Sequence, residues 1–344
     1  MIKRLVSKAM RYAGRLRGVA VSCGVVALVA CVGVLGDSAA RAETVEAQRL
    51  MYQLKTARMN RLVRHQPDLS AFLSGAGTGV FNADVTDDKG ALTFSSGVDR
   101  LLWARATGRW DADGLRKDRY GIGVVGLHSF VTPNFIVGGM IEADYLAQAG
   151  AKSARAGRGA MAGSYFLARA ANHPLYVEGR ILRGRASYGI RRAGDRTQWP
   201  DSRRGLAQLK LSGQLSYGVT TLTPSLVASY ATDDAAARAG SALAGQGVRM
   251  NEVKMGLQFR RILRHKNGAN FVLRGGGALS RTSTHRYGAA FTMPDQRKGQ
   301  GRVNLGVSYR TPGGGAVVID SFLGGLGAYT KRTYGVKAGY DIRF

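Results

Sequence analysis

The chain is poor in the residues that hold a fold by covalent bonds or metal. Its 344 residues include two cysteines, Cys23 and Cys31, and only seven prolines. Both cysteines lie among the first 42 residues, so a chain cleaved after Ala42 has no thiol for a disulfide framework or a cysteine metal site. Histidine is scarce too: His65, His128, His173, His265 and His285. Their spacing gives no H-x-x-x-H metal pattern, and no G-x-S-x-G elbow occurs. No enzyme activity, catalytic residue, cofactor or metal is therefore expected. His128 adjoins Ser129, but neighbours on a strand face opposite sides and cannot form a nucleophile–base pair. A hydrolase would need a serine from another strand to partner His128. Acids are few, 22 Asp and Glu against 50 Lys and Arg, for a net charge of +28. That balance first suggests nucleic acid, a reading that the N-terminal segment removes.

Residues 1–18 carry Lys3, Arg4, Lys8, Arg11, Arg15 and Arg17 and no acid. Val19 to Leu35 runs apolar, and Ala40-Arg41-Ala42 offers a small-x-small cleavage site. This three-part pattern predicts a signal peptide over 1–42 and Sec-type export, so no nucleic-acid partner is expected. Two alternatives stand: an uncleaved membrane anchor, and a lipobox ending in Cys31. Against the lipobox, Val32 to Leu35 stay apolar. Residues 1–42 hold seven basic residues and one acid, so the basic excess belongs to the mature chain.

Glycine is plentiful, 48 residues, while hydrophobic residues make up 45%. The apolar content excludes a disordered chain. The glycine argues against a helical bundle, since each weakens a helix interior by about 1 kcal/mol. Glu43 to Gln66 is the exception: it lacks Gly and Pro, and Pro67 stops it, which predicts one helix. Leu50, Leu54 and Ala57 form a thin apolar stripe, and Arg49, Lys55, Arg58, Arg61 and Arg64 load the rest of the helix with positive charge. Such a helix is either a solvated surface helix or a helix inside a polar cavity. Residues 67–99 are rich in Gly, Asp and Ser and show no period, so they read as a connector.

From 100 to 344 the apolar period is two. Ala207, Leu209, Leu211, Gly213, Leu215 and Tyr217 alternate with Gln208, Lys210, Ser212, Gln214 and Ser216. Twelve such segments can be counted, near 100–111, 119–130, 135–146, 158–170, 175–188, 205–217, 222–231, 248–262, 269–281, 301–311, 315–325 and 331–344. Short turns alternate with mostly longer loops at 147–157, 189–204, 232–247 and 282–300. An even strand number with short turns on one rim and long loops on the other is the pattern of an outer-membrane barrel. The chain then starts and ends on the short-turn, periplasmic side. A soluble sandwich or lipocalin-like barrel also alternates, but charges of both signs on the polar face suit a lumen. Tyr145, Tyr217, Tyr230, Tyr309 and Tyr340 near strand ends suit a membrane interface.

Several stretches carry a family resemblance. They are Gln66-Pro67-Asp68-Leu69, WARATGRWDADG from Trp103, Pro174 to Arg180, LAQLKLSGQLSYGVTTLTP from Leu206, and the C-terminal YDIRF. Over residues 66–344 the chain resembles the autotransporter β-domain, the translocator of type V protein secretion, in its alphaproteobacterial form. The resemblance implies an all-β, 12-stranded antiparallel transmembrane barrel with an α-helix plugging its lumen, in the outer membrane of a Gram-negative bacterium. It also implies recognition of Tyr340, Ile342 and Phe344 by the barrel-assembly machinery. The chain departs from the family upstream: cleavage after Ala42 leaves no room for a passenger, so the passenger is expected to be absent or lost. The alternative is a stand-alone outer-membrane channel or structural barrel for small solutes.

Within that frame the helix bases Arg49, Arg58, Arg61 and Arg64 are expected to pair with lumen acids Glu142, Asp144, Glu178 and Glu252. Those acids have a second set of candidate partners, the lumen bases Arg180, Lys210, Lys254 and Arg274. Arg191, Arg192, Arg203 and Arg204 are placed on a long outer loop, where guanidinium groups would contact lipopolysaccharide phosphates. Loop 282–300, with His285 and Asp295, reads as a surface loop. Lipids and the assembly machinery are the expected partners, and a monomer is the expected state.

Overall fold

The computed structural model describes residues 45–46, 48–74, 80–86, 89–95, 101–113, 116–150, 153–192, 201–235, 246–264, 270–288, 295–310, 316–327 and 333–341. The predicted signal peptide, Ile342 and Phe344 lie outside them. Residues 48–344 form one compact unit. It begins with a helix, α1, over 48–64, and a short helix, α2, Ala71–Ser74. Every later element is a strand.

The strands are β1 Val80–Thr86, β2 Lys89–Ser95, β3 Leu102–Asp113, β4 Arg116–Thr132, β5 Phe135–Ala149, β6 Ser153–Arg169, β7 Leu175–Arg192 and β8 Asp201–Gly213. There follow β9 Leu215–Tyr217, β10 Thr220–Ala235, β11 Gly247–Arg264, β12 Asn270–Tyr287, β13 Gln296–Arg310, β14 Ala316–Leu326 and β15 Thr333–Asp341. All pair antiparallel in sequence order in a single sheet, except that β8 pairs with β10 and the three-residue β9 also pairs with β10. The twelve sequence segments correspond to β3 to β8 and β10 to β15. Residues 80–86 and 89–95, expected in the connector, instead form a hairpin that extends the sheet through β3. The observed strands are also longer, reaching 18 residues in β7, β11 and β12, because the polar loop ends keep their ladder bonds.

The two faces of the sheet differ in kind. Along β5, Ile136, Met140, Glu142, Asp144 and Leu146 are buried, while Val137, Ile141 and Tyr145 are exposed, Ile141 by 63%. The same outward exposure recurs at Ile181, Leu209, Met255, Leu279 and Leu305. Exposed apolar side chains thus run along strand after strand, an area far above the scattered hydrophobics of a soluble surface. The inward face carries the charges. Tyr145, Tyr217 and Tyr230 are on the outward face and exposed.

The sheet curls around α1. Polar contacts reach the helix and the segment after it from β4, β5, β6, β7, β8, β10, β11 and β12. A flat sheet cannot surround one helix in this way. β1 and β15 approach each other within 8 Å between Cα atoms, with no hydrogen-bonded ladder between them among the described residues. The core is this filled interior, with Tyr52, Leu54, Met59 and Leu62 of α1 packed among Ile136, Leu146 and Tyr188 of the strands.

Candidate functional site

Helix α1 and the inward face around it form the candidate site. A surface helix buries one narrow stripe. This one buries Tyr52, Leu54, Lys55, Arg58, Met59 and Leu62, cations included. Charged groups tolerate such burial only when paired and hydrogen-bonded, and the pairs are present. Arg58 donates from Nε to Asp144 Oδ2 at 2.6 Å and from Nη2 to Oδ1 at 2.9 Å. Arg204 donates to the same Oδ1 at 2.6 Å and lies 3.4 Å from Asp233. Lys55 Nζ sits 3.1 Å from Asp233 Oδ1, and the Tyr188 hydroxyl donates to the same carboxylate. The Tyr188 ring lies 5.4 Å from Lys55 Nζ and 5.1 Å from the Arg58 guanidinium carbon. Three cations thus share two carboxylates, and Lys55 and Arg58 share one aromatic face, with the side chains almost fully shielded from solvent.

Toward the end of the helix the pairs become wetter. Arg61 meets Asp118 at 3.1 Å, and Arg64 meets Glu252 at 3.4 Å with its side chain 39% exposed. Gln66 donates to Glu142 at 2.7 Å. Glu178 accepts from the Leu69 backbone at 2.9 Å and from Arg180 at 2.8 Å, and Arg180 also donates to the Pro67 carbonyl at 2.7 Å. Lys210 holds Asp68 at 2.6 Å. Partial burial raises the carboxyl of Asp68, but the Lys210 ammonium and bonds from Ser70 outweigh it and hold the group below its ordinary value.

Direction follows from these contacts. The N-terminal turns of α1 meet Asp233, Gln246 and Tyr287, where β10 ends, β11 begins and β12 ends. That is the rim of the long intervals 236–245 and 289–294. The C-terminal end meets Glu178 and Arg180, near the start of β7 and the tight turn before it. The chain therefore enters the interior at the long-loop rim and leaves at the short-turn rim. There Phe72 of α2 packs 4.7 Å from the His128 ring and 5.5 Å from that of Trp103. The Tyr165 hydroxyl ties the cluster together, accepting from Trp103 Nε1 at 2.8 Å and meeting His128 Nδ1 at 3.0 Å. His128 is buried and Ser129 exposed, on opposite faces.

Several of the expected site residues meet here and others do not. Arg58 and Arg64 face Asp144 and Glu252, while Arg61 takes Asp118 and not one of the four named acids. Arg49 is exposed near the start of the helix and is not among the buried bases. Glu142 meets an amide and not a guanidinium. Arg274 pairs with Asp320, two strands away. Arg204 is the clearest correction: expected on an outer loop, it is buried on the inward face, because β8 begins at Asp201 and strand parity turns residue 204 inward. Arg203 beside it is exposed. Arg191 and Arg192 end β7, and their side chains, like that of Tyr340 in β15, lie outside the described residues. Asp118 and Asp233 were missed from sequence, and Lys55, one of the helix bases, was not expected to pair, although it lies three residues before Arg58 on the same helix face. Among the described residues no cluster of His, Cys, Asp or Glu is placed to hold a metal.

The fold and interior define a class of protein: an all-β antiparallel sheet with an apolar outer face and a charged inner face wrapped on a helix. No known family model matches the sequence, and no curated protein matches it. Among solved structures, the translocator domain of the autotransporter NalP from Neisseria meningitidis is similar, with 15% identity, 87% of this chain, 98% of that one and a TM-score of 0.47. The β domain of the Bordetella autotransporter BrkA is similar too, with 14% identity, 71% and 98% coverage and a TM-score of 0.45. The transport unit of the autotransporter AIDA-I from Escherichia coli has 12% identity, 78% and 89% coverage and a TM-score of 0.35. With all three scores below 0.5, the functional reading rests on this chain's own side chains.

Proposed function

We propose that the chain is an outer-membrane β-barrel of the autotransporter translocator kind, closed between β1 and β15 around a helix that occupies its lumen. The observation that carries this reading is the inversion of the two faces. Buried ion pairs tie α1 to the inner face, while Ile141, Ile181, Leu279 and their neighbours lie bare on the outer one. In water such an outer face is a liability; in a bilayer it is the requirement. The polar lining then supplies partners for a helix that has to cross the membrane with Lys55 and Arg58 on it.

The polarity of the helix gives the reading its direction. With the short turns periplasmic, α1 runs from the outer rim inward, so whatever precedes it is displayed outside the cell. The test is an epitope tag inserted between Thr44 and Val45, probed with protease on intact cells. Cleavage of the tag on intact cells supports the translocator reading. A tag cut only after the outer membrane is opened contradicts it. A stand-alone barrel for small solutes is the second reading, favoured by Lys254 and Arg302, which leave the interior partly wet.

A further inference from the structure

We propose that the side of the interior left open beside α1 is a pathway for small anions, a reading that rests on the barrel proposed above. The interior is asymmetric. Facing α1, Tyr120, Asp144 and Arg204 on β4, β5 and β8 are buried. On β11 and β13 the inward-facing positions are wet. Glu252 fixes the inward parity of β11, since it accepts from Thr282 at 2.8 Å and meets Arg64 of the helix. Lys254 and Arg260 share that parity, and the register carries it through Ala278 of β12 to Arg302 of β13. All three are exposed, so water reaches them inside the sheet.

The wet side is basic. Trp103 sets the inward parity of β3, which brings Arg105 and Arg109 to the same interior. By the same parity Arg109 of β3 and Arg302 of β13 both face the interior. Among the described residues no carboxylate lies within 4.0 Å of Arg105, Arg109, Lys254, Arg260 or Arg302; Arg274 alone is neutralised, by Asp320. The cations are also spread along the passage. Arg260 lies opposite Arg274 toward the short-turn rim, Lys254 lies further along β11, and Arg286 sits near the long-loop rim with its Nε unpartnered.

A row of cations without carboxylate partners, Arg302 resting 4.4 Å from the Phe322 ring, in a narrow low-dielectric wall raises the local concentration of anions and excludes cations, which is how basic rings select anions in pores. The ligand class is small inorganic anions such as chloride or phosphate, which satisfy guanidinium donors without needing a shaped pocket.

The test uses the purified full chain in planar bilayers under a potassium chloride gradient, with the unboiled-versus-boiled gel shift recorded on the same preparation. The expected reversal potential shows a several-fold preference for chloride at about 0.1 M, where the Debye length is about 10 Å, shrinking toward parity at about 1 M, where it is about 3 Å. Lys254→Gln with Arg302→Gln should lower the preference several-fold with the gel shift retained. Asp320→Asn, which frees Arg274, should raise it. A heat-shifted protein that conducts without preference, prefers potassium or does not conduct overturns the anion pathway and leaves the barrel standing. A protein with no heat shift overturns the barrel reading itself.

Discussion

Arg58 on the helix and Asp144 on β5 are joined by two hydrogen bonds, one to each carboxylate oxygen, with 0% and 2% of their side chains exposed. Neither partner tolerates the loss of the other, because a lone buried charge keeps its desolvation cost without the compensating attraction. The same carboxylate holds Arg204, so one acid links two strands and the helix.

Asp144→Asn is therefore expected to cost about 3–5 kcal/mol, by leaving the Arg58 guanidinium without its charge partner and Arg204 with Asp233 alone. Arg61→Gln, at a pair that is partly wet, is expected to cost about 1 kcal/mol or less. Urea titration of the unboiled gel band measures both. Equal costs would contradict the account of where the interior is dry.

The outer face yields an opposite ranking. Ile141 is 63% exposed, so in water Ile141→Arg would be close to neutral. Facing lipid near the middle of a spanning strand, it should cost about 2–4 kcal/mol. Folding in lipid vesicles, followed by the yield of the heat-shifted band, separates these outcomes. A neutral result would argue for a soluble sheet.

At the short-turn rim, Phe72 anchors the chain as it leaves the interior. Phe72→Ala removes ring contacts with Trp103 and His128, each of the kind that contributes about 0.5–1.5 kcal/mol. The expected result is faster protease cleavage within 67–74 with the gel shift unchanged. Loss of the shift would mean that the cluster supports the whole sheet and not the segment alone.

Gly138 makes a sharper test of the same cluster. A Cβ there would fall 2.5 Å from the Tyr165 ring and from the Leu127 carbonyl, and backbone cannot give way as a flexible side chain does. Gly138→Ala should therefore displace Tyr165 and break its bonds to Trp103 and His128, read as a change in Trp fluorescence. An unchanged spectrum would contradict the close packing.

How much of this was legible in the sequence varies with the physics of each element. The long strands were readable because lipid-facing and lumen-facing positions alternate strictly, so Leu209 and Lys210 announce their faces. The β1 and β2 hairpin was not, although Phe81, Ala83 and Val85 alternate with Asn82 and Asp84, because each run is only seven residues long and lies in a stretch rich in Gly, Asp and Ser. Arg58 and Asp144 were readable as opposite charges on facing elements. Arg204 was not, because in the run Arg203-Arg204 a strand start four residues earlier than expected decides which guanidinium turns inward. Lys55 was not marked for pairing because a helix that is surrounded shows no single apolar stripe to mark its buried side, and Asp233 was hidden because β10 runs on to Ala235, into the expected loop 232–247.

The central claim, a closed membrane barrel holding a helix, is tested most directly by comparing unboiled and boiled samples of outer-membrane fractions on a gel. The account predicts a protein that sediments with the outer membrane and whose mobility changes on boiling. A protein found in the soluble periplasmic extract, with the same mobility before and after boiling, would contradict it.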